Sequence, residues 1–150
     1  MDLSLSNVRR SVRNPTEGWL QKRDLSKLLE KIKNNHEDTV VLKLKDHLLS
    51  DISPGVFDLI IDALQINTAC QALYAQNMNA AIGDDQLKSI LEVLKIKCIW
   101  CVNLGENYKI SSQMWNNFCE ELPKTQVTHL YVSEHVISPK LKNKMRAAIR

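Results

Sequence analysis

The sequence predicts an α/β fold in which short parallel strands alternate with helices. Two observations carry that expectation: an apolar pattern that returns at a near-constant period, and a helix-start signal that follows each return. The composition agrees with it. Of the 150 residues, 44 % are hydrophobic and 25 % charged, ordinary proportions for one domain. A chain of this length can bury about two-thirds of the surface its unfolded form exposes, enough for a real core.

The pattern spans four segments, Thr39 to His47, Cys70 to Met78, Ile99 to Asn107 and Val127 to His135, roughly 30 residues apart. Their first places hold Thr39, Cys70, Ile99 and Val127. The fourth places hold Leu42, Leu73, Val102 and Leu130, and the sixth Leu44, Ala75, Leu104 and Val132. Apolar residues two apart suit a strand with one buried face.

A capped helix follows each segment. Ser53-Pro54 opens one with Phe57, Ile60, Ile61 and Leu64 at helical spacing, and Asp84 opens one with Leu87, Ile90, Leu91 and Leu94. Ser111 or Ser112 opens the third, with Trp115, Phe118, Cys119 and Leu122; Ser138-Pro139 opens the last, with Leu141, Met145 and Ile149. A Ser or Asp cap accepts a hydrogen bond from a backbone N–H that has no helical partner, and proline beside it forfeits no bond. Before the first segment, Leu25, Leu28, Leu29 and Ile32 share one helical face. The expected organisation is therefore a flexible basic arm over 1–18, with Trp19 and Leu20 tucking it down. A capping helix follows over 19–38, and about four strand–helix units over 39–150.

The segments resemble the pattern L-x-x-L-x-L-x-x-N of leucine-rich repeats, at the long spacing of the ribonuclease-inhibitor-like class, over about residues 39–150. The resemblance implies a solenoid with parallel strands on its concave face and helices on its convex face. Asn107 matches the ninth place, where the family uses an amide to satisfy the turning backbone, whereas His47, Met78 and His135 depart from it. An imidazole can donate and accept, so the histidines are partial substitutes. A general α/β domain is the alternative.

Alternation along each strand turns the third, fifth and seventh places outward. These are Val41, Ala72, Cys101 and His129; Lys43, Tyr74, Asn103 and Tyr131; and Lys45, Gln76, Gly105 and Ser133, with Asp46, Asn77, Glu106 and Glu134 at the strand ends. From this grid the expected partner-binding residues are Lys43, Lys45, Tyr74, Gln76, Asn103, Glu106, His129, Tyr131 and Glu134. Tyr74 and Tyr131 are the natural anchors, since tyrosine joins apolar area to a polar tip. Lysines at one end and glutamates at the other would orient a partner. The functional expectation is a non-enzymatic protein–protein interaction scaffold, a monomer or part of a larger protein, whose partner the sequence does not name.

Chemistry is hard to find. Cys98 and Cys101 form a CxxC, but a structural zinc needs a second pair, and a redox role needs the motif at a helix N-terminus rather than at a strand entrance. Cys70 and Cys119 are isolated, at core places. His36, His47, His129 and His135 form no ligand pair, and GxSxG, Walker A and GxGxxG are absent. Asp84-Asp85 reads as capping and dipole compensation, and Glu120-Glu121 as solvated surface. No metal, cofactor or catalytic residue is expected.

The net charge of +3 is uneven. Residues 1–23 hold five basic residues against two acids, 138–150 hold five against none, and the body between is acidic. Arg9, Arg10, Arg13 and the lysine-rich last helix make a nucleic acid or another acidic surface the alternative partner. No segment has the length and apolarity of a membrane span, and Met1 to Leu20 lacks a secretory apolar run. The expected location is the cytoplasm, or the nucleus.

Overall fold

The computed structural model describes residues 15–133 and 137–149, and for 15–22 the backbone alone. Helix α1 (Pro15–Lys33) leads into β1 (Val41–Lys43), α2 (Pro54–Ile66), β2 (Ala72–Tyr74), α3 (Asp84–Ile96), β3 (Cys101–Asn103), α4 (Ser112–Glu121), β4 (His129–Tyr131) and α5 (Pro139–Ala148). Helix α1 starts at Pro15; of the arm expected over 1–18, residues 1–14 lie outside the described part. The side chains of Trp19 and Leu20, and residues Glu134 and His135, also lie outside it.

The local chemistry explains most boundaries. Ser53 Oγ accepts from the Val56 N–H at 3.2 Å, Ser111 Oγ from Met114 at 3.1 Å and Ser138 Oγ from Leu141 at 3.2 Å. Helices α2 and α5 follow their caps directly with Pro54 and Pro139. Helix α3 departs from expectation. Its cap is Gly83, whose N–H donates to Gln86 Oε1 at 3.1 Å, and Asp84 is the first helical residue. The Asp84 carboxylate is engaged elsewhere: it accepts from the Ser111 N–H and hydroxyl, both at 2.7 Å, tying the start of α3 to the cap of α4.

The four strands form one parallel sheet in the order β1-β2-β3-β4. Val41 pairs with Ala72, Ala72 with Cys101 and Cys101 with His129, so the register joins the third places of the four segments. Helix neighbours follow the same order, α1 on α2, α2 on α3, α3 on α4 and α4 on α5. Crossovers of one hand that step in one direction leave all the helices on one face of the sheet. Between the layers, Leu42, Leu44, Leu73, Ala75, Val102 and Leu104 meet Phe57, Ile60, Leu87, Ile90, Trp115 and Phe118 in one buried cluster. Trp115 and Phe118 meet edge to face, with ring centroids 5.7 Å apart.

This arrangement corrects the expected ribonuclease-inhibitor-like leucine-rich-repeat solenoid. The described residues make an α/β domain of one four-stranded parallel sheet and five helices, closed around a single core. Of the ninth places among the described residues, Asn107 alone forms an amide rung. The Asn107 side chain donates to the Ala75 carbonyl at 2.9 Å and accepts from the Met78 N–H at 2.8 Å. The His47 ring makes no such bond among the described residues. Each strand is only three residues long, so loops, caps and 3-10 turns carry much of the chain.

Candidate protein-binding surface

The face of the sheet opposite the helices carries no other element among the described residues, and its side chains follow from strand alternation. The fifth places line up as Lys43, Tyr74, Asn103 and Tyr131 across the register. Lys43 Nζ lies 5.6 Å from the centre of the Tyr74 ring, a cation–π contact between neighbouring strands. Tyr131 is 52 % exposed and Val41 49 %, while Tyr74 and Asn103 are half-buried. Cys101, which sits between the two tyrosines' strands, is the main cause that raises the Tyr74 phenol above its ordinary pKa, followed by partial desolvation and by Tyr131.

The N-terminal rim of this face holds a second aromatic group. Trp100, 42 % exposed, meets the exposed His129 ring edge to face at 5.2 Å. His129 Nδ1 lies 2.9 Å from Thr128 Oγ1. Sequence reasoning placed His129 here and missed Trp100, which sits one place before β3; an exposed tryptophan is a large apolar surface with a donor, suited to a contact.

The remaining expected residues divide. Lys45 is exposed, and its Nζ donates to the Asn77 carbonyl at 3.1 Å. Gln76 is half-buried, and its side-chain carbonyl is covered with no donor among the described residues. Asn103 is partly used by the fold, since its Oδ1 accepts from the Gly105 N–H at 3.0 Å. A Cβ on Gly105 would come within 3.2 Å of that oxygen, a tight contact that would press on the Asn103 side chain. Glu106 is exposed, with φ of 59°, and its N–H donates to Ser133 Oγ. Glu134 lies outside the described residues, so the acidic end of the expected charge gradient rests on Glu106.

Two outward places are not exposed at all. Ala72 and Cys101 are buried although alternation turns them out, because short side chains on a sheet are covered by longer ones beside them. Cys98 is exposed and Cys101 buried, so the CxxC splits. Burial pushes the Cys70 thiol up to about 12 and raises that of Cys119 as well, which keeps both protonated and inert. Among the described residues no group of three or more His, Cys, Asp or Glu is placed to hold a metal ion. No helix among them is long and apolar enough to cross a membrane.

The basic last helix is partly engaged. Lys144 donates to Asn116 Oδ1 at 2.9 Å and pairs with Glu120 at 3.3 Å. Arg9, Arg10 and Arg13 lie outside the described residues.

What the sheet and its helices define is an α/β domain, and solved structures share that fold. One is described as leiomodin-1 actin-binding site 2, with 23 % identity and a TM-score of 0.63, covering 81 % of this chain and 70 % of that one. Another is a tropomodulin C-terminal domain from Caenorhabditis elegans, with 9 % identity and a TM-score of 0.53, covering 84 % of this chain and 91 % of that one. No family model and no curated protein matches the chain. The fold is thus that of the tropomodulin and leiomodin C-terminal domains. This overturns the ribonuclease-inhibitor-like resemblance, together with the description of the chain as a leucine-rich-repeat solenoid.

Proposed function

We propose that this chain is a non-enzymatic protein-binding module that holds its partner against the open face of the sheet. The observation that carries the reading is the row Lys43, Tyr74, Asn103 and Tyr131, held in register on four adjacent strands with no element over it. Four hydrogen-bonded strands fix the spacing of these side chains before binding, so little entropy is lost on contact. Tyr131 and the Lys43–Tyr74 pair supply apolar area with polar tips, and Val41, Trp100 and His129 extend the area toward the N-terminal rim. Lys45, Gln76 and Glu106 border it on the other side, and Glu134 belongs to the same expected set. An intracellular partner suits this reading, and the chain acts alone or within a larger protein.

The neighbour described as an actin-binding site supports a protein partner and makes actin the first one to test. Purified actin, monomeric and filamentous, is mixed with the wild-type chain and with the Tyr74→Ala, Tyr131→Ala double variant. The wild type is expected to bind and the double variant to weaken binding by about a hundredfold, the scale of two anchor residues. No binding by the wild type removes actin as partner. Equal binding by both proteins removes this face as the site.

A further inference from the structure

Among the described residues no strand follows β4, and its outer edge has the features of an acceptor for one more strand. The His129 N–H donates to the Trp100 carbonyl at 3.0 Å and the Leu104 N–H to the Tyr131 carbonyl at 2.8 Å. Residues 129 and 131 therefore face β3, and alternation turns the N–H and C=O of Leu130 to the outer side. The register aligns Leu42, Leu73, Val102 and Leu130; the first three each have a following strand beside them, and the last has none among the described residues.

Beside this edge lies a groove of about 230 Å³ between β4 and α5, lined by Leu130, Val132, Met145 and Ile149 together with Lys142 and Arg146. Leu130 and Val132 are half-buried, whereas Leu42, Leu44, Leu73, Ala75, Val102 and Leu104 at the equivalent places are fully buried. Helix α5 carries Lys140, Lys142, Lys144 and Arg146 and no acid. An uncovered apolar groove, an open backbone edge and a basic helix thus meet at one place.

We propose that this edge binds an extended acidic segment of a partner protein as a fifth strand. Its apolar side chains fill the groove against Leu130 and Met145, and its Asp or Glu residues lie toward Lys142 and Arg146. Main-chain hydrogen bonds to the Leu130 amide and carbonyl supply affinity, and the groove and the basic helix supply selectivity. A nucleic acid would use the cations but neither the apolar groove nor the amide edge. Tyr131 lines this groove as well as the open sheet face. The inference is carried by the Leu130 edge and the basic helix and is read at the Leu130 amide, so it stands or falls independently of the proposed function.

The test uses the whole chain and a labelled synthetic peptide with alternating Val and Ile flanked by Glu. Controls are a peptide of equal charge with Ser in place of Val and Ile, and an oligothymidylate of equal charge. The alternating peptide is expected to bind about tenfold or more tighter than either control, to slow hydrogen exchange at the Leu130 amide, and to lose about tenfold with Arg146→Glu or Lys142→Glu. No peptide binding, equal binding of the Ser peptide, preference for the oligonucleotide, or binding that leaves Leu130 exchange unchanged would each overturn the proposal. Arg146 is exposed, so its reversal leaves the fold intact.

Discussion

The two ends of the sheet are built from the same pattern and finished differently. At the β1 end, Leu42 and Leu44 are wholly buried, and Leu28 and Ile32 of α1 cover that end of the core. The joint is closed by Asn67, which is buried with every side-chain group in use. It donates to the Ile32 carbonyl at 2.8 Å and to Thr39 Oγ1 at 3.1 Å, and it accepts from the Ala69 and Cys70 N–H groups at 2.9 and 2.7 Å. At the β4 end, Leu130 and Val132 occupy the equivalent places half-buried, beside an open groove. Whether an apolar place becomes core is decided by what lies beyond it, not by the residue that fills it.

The sharpest way to break that comparison is to truncate equivalent places. Leu44→Ala should cost about 2–5 kcal/mol, the range for a buried leucine in a site that cannot collapse. Val132→Ala, already half in water, should cost under about 1 kcal/mol. Urea denaturation of both variants reads the difference directly, and equal losses would mean the ends are packed alike.

Next in size is the joint itself. Asn67→Ala takes the acceptor from the Ala69 and Cys70 N–H groups and one of two donors from the Ile32 carbonyl, which keeps the Asn35 N–H at 3.3 Å. It should cost roughly 3 kcal/mol. The exposed Lys144–Asn116 contact at the far end is the counterpart, and Asn116→Ala should stay within about 0.5 kcal/mol. Calorimetric melting of the two variants would show whether polar closure differs between the ends as strongly as apolar closure does. Ser138→Ala, which removes the cap of α5, should fall between them at about 1 kcal/mol.

The smallest effect is electrostatic. Lys95 and Lys124 beside Glu121, at 2.9 and 3.1 Å, hold its carboxyl below the ordinary value, and Lys31 does the same for Asp38 near the β1 end. A depressed carboxylate contributes stability that is present above its unfolded pKa and lost as pH falls through its folded pKa. Stability should therefore decline slightly as pH falls below about 4.5 for Glu121 and below about 3.8 for Asp38. Glu121→Gln should flatten the first part of that decline in denaturation measured against pH, while leaving the part due to Asp38.

Much of the fold was legible because burial writes a period into the sequence. The spacing that superimposes Val41, Ala72, Cys101 and His129 is the register of the sheet. Ser53-Pro54 and Ser138-Pro139 mark helix starts by their own local chemistry. The class of fold was not legible, since L-x-x-L-x-L reports a strand buried on one face and is silent about how many units stack or how they close. Asn67 and Asn79 were missed, and Asp84 was read as a cap rather than as the bridge to Ser111, for a related reason. Asn79, for example, donates to the Glu106 carbonyl at 2.8 Å and accepts from the Tyr108 N–H at 2.7 Å. Such bridges join residues far apart in sequence, so no local pattern announces them. On the open face, alternation placed Tyr74 and Tyr131 correctly in register but could not tell that Ala72 and Cys101 would be covered.

The three tyrosines offer a direct test of that face, because Tyr74 and Tyr131 lie on it while Tyr108, also exposed, sits in the loop after β3. Their ring resonances can be followed by NMR during titration with purified actin. The expected result is that the Tyr74 and Tyr131 signals shift together while Tyr108 holds still. A shift of Tyr108 with Tyr74 and Tyr131 unmoved would contradict the assignment of the open sheet face as the binding surface.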